Sequence, residues 1–152
     1  MEQSVESFRE RLRNLVRKMG LLEEAEANCC GVTLGQCHAI GEIGRSESLN
    51  LNTLADRLSL DKSTMSRTLN SLVEAGYAIR EASPEDRRYV EIHLSDQGQQ
   101  QFKTIETYSQ THYQHVLNEI PNDKMEQVLE SLKLLAEAFQ RADALKDCSC
   151  SE

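Results

Sequence analysis

The segment DKSTMSRTLNSLVEAG, Asp61–Gly76, gathers hydrogen-bonding and cationic side chains on one side of a short helical pattern. Met65, Leu69, Leu72 and Val73 recur at helical spacing and make the apolar side. Lys62, Ser63, Thr64, Ser66, Arg67 and Asn70 make the polar side, crowded into the first turns. Such a set suits contact with nucleic acid. Lys and Arg neutralise phosphates or read guanine, and hydroxyls and the Asn amide contact phosphates or base edges. A helix entering a major groove does so N-terminus first, which places its readers in the opening turns. On an isolated helix the same pattern would be a solvated face behind an ordinary cap, so the neighbouring elements decide.

Upstream, Leu54, Ala55 and Leu58 give a short helix one apolar face, and Ser59-Leu60-Asp61 is a tight connection ending in a good N-cap. Two short helices joined by about 3–4 residues form a helix-turn-helix. After Gly76 the period changes from helical to alternating. YAIREA offers Tyr77 and Ile79 on one face; YVEIHL offers Val90, Ile92 and Leu94 on one face and Tyr89, Glu91 and His93 on the other. Between them SPEDRR places Pro84 where a type I turn favours it, with Ser83 and Asp86 as turn residues. A charged hairpin directly after a helix-turn-helix is a wing.

The flanks read as helices. Val5, Phe8, Leu12, Leu15, Met19 and Leu22 form a narrow seam of the kind that pairs with another helix, interrupted at EANCCGV with Gly31 as a stop. A second helix runs from the cap Thr33 to near Gly44, and RSESLN is a polar loop. A long helix starts after Ser95 and ends at Pro121; a last one carries Met125, Leu129, Leu132, Leu135 (or Ala136) and Phe139, followed by a loose tail, DCSCSE. The expected fold is mainly α with a small two-stranded β-wing: a winged helix-turn-helix with flanking dimerisation helices. Residues 1–152 read as a single domain, with the winged core at about 48–95 and the dimerisation helices at about 3–28 and 97–146. The terminal seams are more apolar surface than a wing-sized domain covers, which points to a homodimer. Two recognition helices related by a two-fold axis would meet half-sites ~34 Å apart.

The 152 residues suffice for a core without staples. No apolar run reaches the roughly 20 residues that span a bilayer, so no membrane partner and a cytoplasmic location are expected. The five Cys are an odd number, which argues for free thiols. Net charge is −8, an awkward sign for a DNA binder. From Thr53 to Leu94, however, six bases (Arg57, Lys62, Arg67, Arg80, Arg87, Arg88) nearly balance seven acids, leaving −7 on the remainder. Non-specific binding should be weak, but a basic face is allowed. The absence of a CxxC, a Gly-rich phosphate loop, an HExxH or a nucleophile elbow argues against an enzyme.

The stretch LADRLSLDKSTMSRTLNSLVEAGYAIREASPEDRRYVEIHLSDQG closely resembles the winged-helix core of the MarR family of bacterial transcription regulators. Leu54-Ala55, Asp61–Thr68, LVEAGYAIR, the wing SPEDRRYV and LSDQG carry the match, over more than a quarter of the chain. The resemblance implies a homodimer on a palindromic double-stranded operator, usually a repressor released by a ligand, oxidant or metal. It also implies that Asp86 orders the wing through Arg88, that Arg87 or Arg88 reaches the minor groove, and that Ser63, Ser66, Arg67 and Asn70 face the major groove. A thiol redox enzyme, or a protein-interaction winged helix that does not bind DNA, is the alternative.

No cofactor is certain, but candidate effector residues stand out. Cys29, Cys30 and Cys37 surround the junction of the first two helices, with Cys148 and Cys150 in the tail. His38 and Glu42 share a helical face, as do His112 and His115. Thiolates from this set would hold a soft thiophilic ion of arsenite or zinc type. A mixed site drawn from Glu24, Cys30, His38, Glu42, His112 and His115 would take zinc, as the resemblance to zinc-responsive family members implies. A Cys could instead sense oxidant. None of these spacings is a closed metal motif, and buried Cys also serve as small hydrophobes.

Overall fold

The computed structural model describes residues 2–46 and 48–146. The elements run α1 (Glu2–Cys29), α2 (Leu34–Gly44), α3 (Leu51–Arg57), α4 (Lys62–Glu74), β1 (Ala78–Ala82), β2 (Val90–Leu94), α5 (Asp96–Asn118), a 3-10 turn (Asn122–Lys124) and α6 (Met125–Lys146). The chain divides into two compact units at Gln110–Thr111. Tail residues Cys148 and Cys150 lie outside the described residues.

The first unit is built by short-range signals that agree with its core. Thr33 and Gln36 form a reciprocal capping box that starts α2. Three helices end in the same two-bond pattern. After α1, Val32 N–H donates to Ala27 O and Gly31 N–H to Asn28 O, with Gly31 at φ +70. After α3, Leu60 donates to Ala55 O and Ser59 to Asp56 O; after α4, Tyr77 donates to Leu72 O and Gly76 to Val73 O. These are Schellman closures, which need a left-handed residue. At the α3–α4 connection that residue is Ser59, φ 53, rather than glycine.

Ile40, Leu54, Met65, Leu69, Leu72 and Ile92 are the largest fully buried side chains. They join α2, α3, α4 and β2 into one core, on which Ala27 and Ile105 close from α1 and α5. The hairpin is antiparallel, with Ala78 opposite Leu94, Arg80 opposite Ile92 and Ala82 opposite Val90. The close of α4 makes Tyr77 part of the helix end, where it packs half-buried against the core, so the strand begins at Ala78 and its inward residue is Ala78, not Ile79. Ile79 is exposed, and Val90, on the side of Ile92 and Leu94, lies beyond the core and is exposed too. On α4, Met65, Leu69 and Leu72 are buried, while Val73, at the edge of the apolar side, is 37% exposed.

The first helix and the loop after α2 compare differently with expectation. α1 runs to Cys29, close to the expected 3–28, and closes at Gly31 as expected, with EANC forming its last turn. The loop RSESLN is not wholly polar in use: Leu49 is buried and exchanges two backbone hydrogen bonds with Ile92, adding a third edge to the hairpin. In the second unit, the 3-10 turn after Pro121 leads into α6, where Leu129, Leu132 and Phe139 are exposed. Val5, Phe8, Leu15 and Met19 of the α1 seam are exposed as well. Among the described residues, no helix is long and apolar enough to cross a membrane.

Candidate nucleic-acid interface

The opening of α4 is held by Asp61. Its carboxylate accepts from the Thr64 backbone N–H at 2.8 Å, from the Thr64 hydroxyl at 2.6 Å and from the Ser63 hydroxyl at 2.5 Å. The hydrogen bonds from Ser63 and then Thr64 hold this carboxyl well below the usual carboxylate range. Both hydroxyls therefore spend their single proton on the cap and can offer a ligand only lone pairs. Lys62, Ser63, Arg67 and Asn70 are exposed; Thr64 and Ser66 are half-buried. Arg67 turns its Nε–H toward the Ser63 carbonyl, 3.4 Å away. Behind the helix, Gln36 donates to the Ser71 hydroxyl at 3.1 Å and ties α2 to α4.

Asn70 is bound from the side. Arg80 Nη2 on β1 donates to Asn70 Oδ1 at 2.6 Å, joining the hairpin to α4. Arg80 was not among the residues expected at the site. The signal was its parity: it lies two residues from Ala78 on the same side of β1, the side that packs toward α4.

At the wing tip, Tyr89 N–H donates to Asp86 O at 2.9 Å, so the turn centres on Arg87-Arg88 and not on Pro84. Ser83 N–H closes the loop on Tyr89 O, and the buried Ser83 hydroxyl donates to Glu91. Arg88 grips Asp86 with its backbone N–H at 3.0 Å, with Nε at 3.1 Å and with Nη2 at 2.8 Å. The Arg88 guanidinium holds the Asp86 carboxyl below its ordinary range, and Asp86 raises Arg88 in turn. Arg87, at the turn centre, is exposed and makes no bond among the described residues.

Residues 31–88, from α2 to the wing, match the model of the MarR family. Over this segment the chain is similar to the MarR family. A candidate transcriptional regulatory protein for the hcr operon of Thauera aromatica is 33% identical over 76 residues, which span 50% of this chain and 46% of that one. The chain thus spans about half the length of the curated relative it matches. The backbone superposes on Streptococcus pneumoniae FabT in complex with DNA with a TM-score of 0.80, at 20% identity over 90% of this chain and 98% of that one. For the MarR family transcription regulator SP03579 the TM-score is 0.82, at 19% identity over 96% and 97%. Both likenesses are of fold.

The candidate effector residues lie on both sides of the start of the matched segment. Cys37 and His38 lie within it, and Cys29 and Cys30 just ahead of it. Cys37 is buried, Cys30 half-buried and Cys29 exposed. Burial, then Glu26, pushes the Cys37 thiol up to about 11, and the same two causes in the same order raise Cys30. The Cys29 thiol donates to the Tyr108 hydroxyl at 3.5 Å, and this bond raises Tyr108. His38 sits 3.7 Å from Glu23, while Glu42 pairs with Arg45 and Arg57. His112 and His115 belong to the second unit. Among the described residues, no group of three or more His, Cys, Asp or Glu is placed to hold a metal ion.

Proposed function

We propose that this chain is a sequence-specific DNA-binding transcription regulator, a repressor that binds a palindromic operator as a homodimer and whose affinity an effector alters. One observation carries the reading: the opening turns of α4 are polar and exposed, while Met65, Leu69 and Leu72 anchor the same helix from behind. Beside it stands a wing whose cationic tip is ordered before any DNA arrives. A helix locked into the core with its polar end outward enters a groove without paying for its own ordering. The exposed seams of α1 and α6 support the homodimer, because a second copy would cover both.

The effector belongs to the same proposal. The thiols at the α1–α2 junction would take a thiophilic ion, zinc or an oxidant, and two of them must first be stripped of protons that burial favours. The test is a titration of the full chain against duplex DNA from its own promoter, with and without zinc, arsenite and peroxide. Sequence-specific binding is expected, weaker with at least one agent. No preference over random duplex would leave the protein-interaction and redox-enzyme readings, and a response that survives both Cys30→Ser and Cys37→Ser would remove the thiols from the mechanism.

A further inference from the structure

We propose that Arg80 sets the hydrogen-bonding polarity of Asn70, so that α4 presents chiefly donors at that position and discriminates against adenine there. The inference rests on α4 being the DNA-contacting helix and names how one of its residues chooses a base. Arg80 Nη2 lies 2.6 Å from Asn70 Oδ1. A guanidinium has only donors, so the amide atom facing it must be the oxygen; the opposite orientation would set N–H against N–H. Both ends of the contact are held by regular structure. Asn70 sits one residue after the buried Leu69 in α4, and Arg80 sits across from the buried Ile92 in β1.

An Asn that reads adenine uses both ends of its amide, accepting from N6 and donating to N7. Here the accepting end is already engaged by a cation. The bound charge draws electron density toward itself, which weakens the oxygen toward a second donor and strengthens the free Nδ2–H as a donor. What remains is a strengthened donor pair beside a weakened acceptor lone pair. It suits guanine O6 and N7 or thymine O4, and it opposes the amino groups of adenine and cytosine. The positive charge of Arg80 beside the amide acts in the same direction, since guanine is the base richest in acceptors on that edge. Arg80 is thus a positioning residue for base choice.

The experiment is selection of bound sequences from a randomised duplex library by the full chain, comparing wild type with Arg80→Ala, Arg80→Lys and Asn70→Ala. Asn70→Ala should flatten one motif position, and wild type should prefer guanine or thymine there. Arg80→Ala should shift that same position toward adenine by roughly fivefold or more, with the rest of the motif intact. Arg80→Lys, which also brings only donors, should keep the wild-type preference. A motif unchanged by Arg80→Ala, or a wild-type preference for adenine at the Asn70 position, overturns the inference while leaving the regulator reading standing. A library that wild type cannot enrich overturns both. Arg80 is exposed, and a thermal melt of each variant shows that a changed motif comes from a folded protein.

Discussion

Arg45 Nη2 lies 2.6 Å from Glu106 Oε1, so the residue that closes α2 is ion-paired to α5. The pair belongs to a chain of charges: Arg45 also meets Glu42 at 3.4 Å, and Glu42 meets Arg57 of α3 at 3.6 Å. Exposed pairs contribute about 0–1 kcal/mol each, but a carboxylate shared by two guanidiniums makes its losses non-additive. Glu42→Gln should therefore cost more stability than Glu106→Gln, which should cost under about 1 kcal/mol. Urea titrations at low and high salt check this. The gap should narrow with salt, and equal losses would mean that the pairs act independently.

Ser59 occupies a left-handed position that glycine fills without strain. Ser59→Gly should stabilise the fold by about 0.5–1 kcal/mol, the strain relieved being partly offset by a freer unfolded chain. Chemical denaturation measures it. A loss of stability would show that the Ser59 side chain contributes more than its backbone conformation costs.

The Asp61 carboxyl titrates below its unfolded value because Ser63 and Thr64 donate to it. A depressed pKa contributes stability that is complete above the unfolded value of about 3.9 and is lost as pH falls through the folded one. Asp61→Asn keeps a capping oxygen but no charge. The stability difference between wild type and this variant should be constant above about pH 5 and should shrink in acid. Thermal melts from pH 7 to pH 3 follow it, and a difference that stays flat throughout would deny the cap its charge.

Helices α1 to α4, the start of α5, the hairpin and the caps at Thr33, Asp61 and Ser95 could be read from sequence, because each rests on interactions within a few residues. What could not be read was set by longer-range geometry. The phase of β1 depends on where α4 closes at Gly76–Tyr77, and one residue of slip exchanges Ala78 for Ile79. Leu49 stands in a loop of polar residues, and its burial depends on pairing with Ile92 on a distant strand. The Arg80–Asn70 contact joins residues on two elements, and no local pattern encodes it. The thiols were visible, but their burial and protonation were not.

Asp86→Ala should weaken operator binding, although an acid near phosphate ought to repel it. Without Asp86, Arg88 loses its fork and the tip its order, a cost that binding must then meet. Arg87→Ala should instead lower the dependence of log affinity on log salt by about one unit. Titrations at several salt concentrations separate the two. Tighter binding by Asp86→Ala would show that repulsion dominates.

At pH 7.5, iodoacetamide should label Cys29 long before Cys37, which is buried and protonated. Labelling of Cys37 should rise only as pH approaches about 11. Peptide mapping after timed alkylation reads each site. Rapid labelling of Cys37 at neutral pH would mean that the α1–α2 junction opens readily.

Gly98 has a consequence for motion. A Cβ there would lie 1.9 Å from the Tyr77 carbonyl oxygen, so α5 begins in direct backbone contact with the residue that joins α4 to β1. Ser95 stitches the same joint, its N–H donating to Tyr77 O and its hydroxyl to Gly76 O. With no side chain between them to deform, the start of α5 and the root of the wing form a crank with no slack. The stretch from Asp96 to Gln110 is a lever arm of about 20 Å. The arm and the hairpin are coupled through this joint, so a tilt of roughly 10° there would sweep the far end of the arm through about 3–4 Å, against the contacts that Ile105 and Glu106 make with the core and with Arg45.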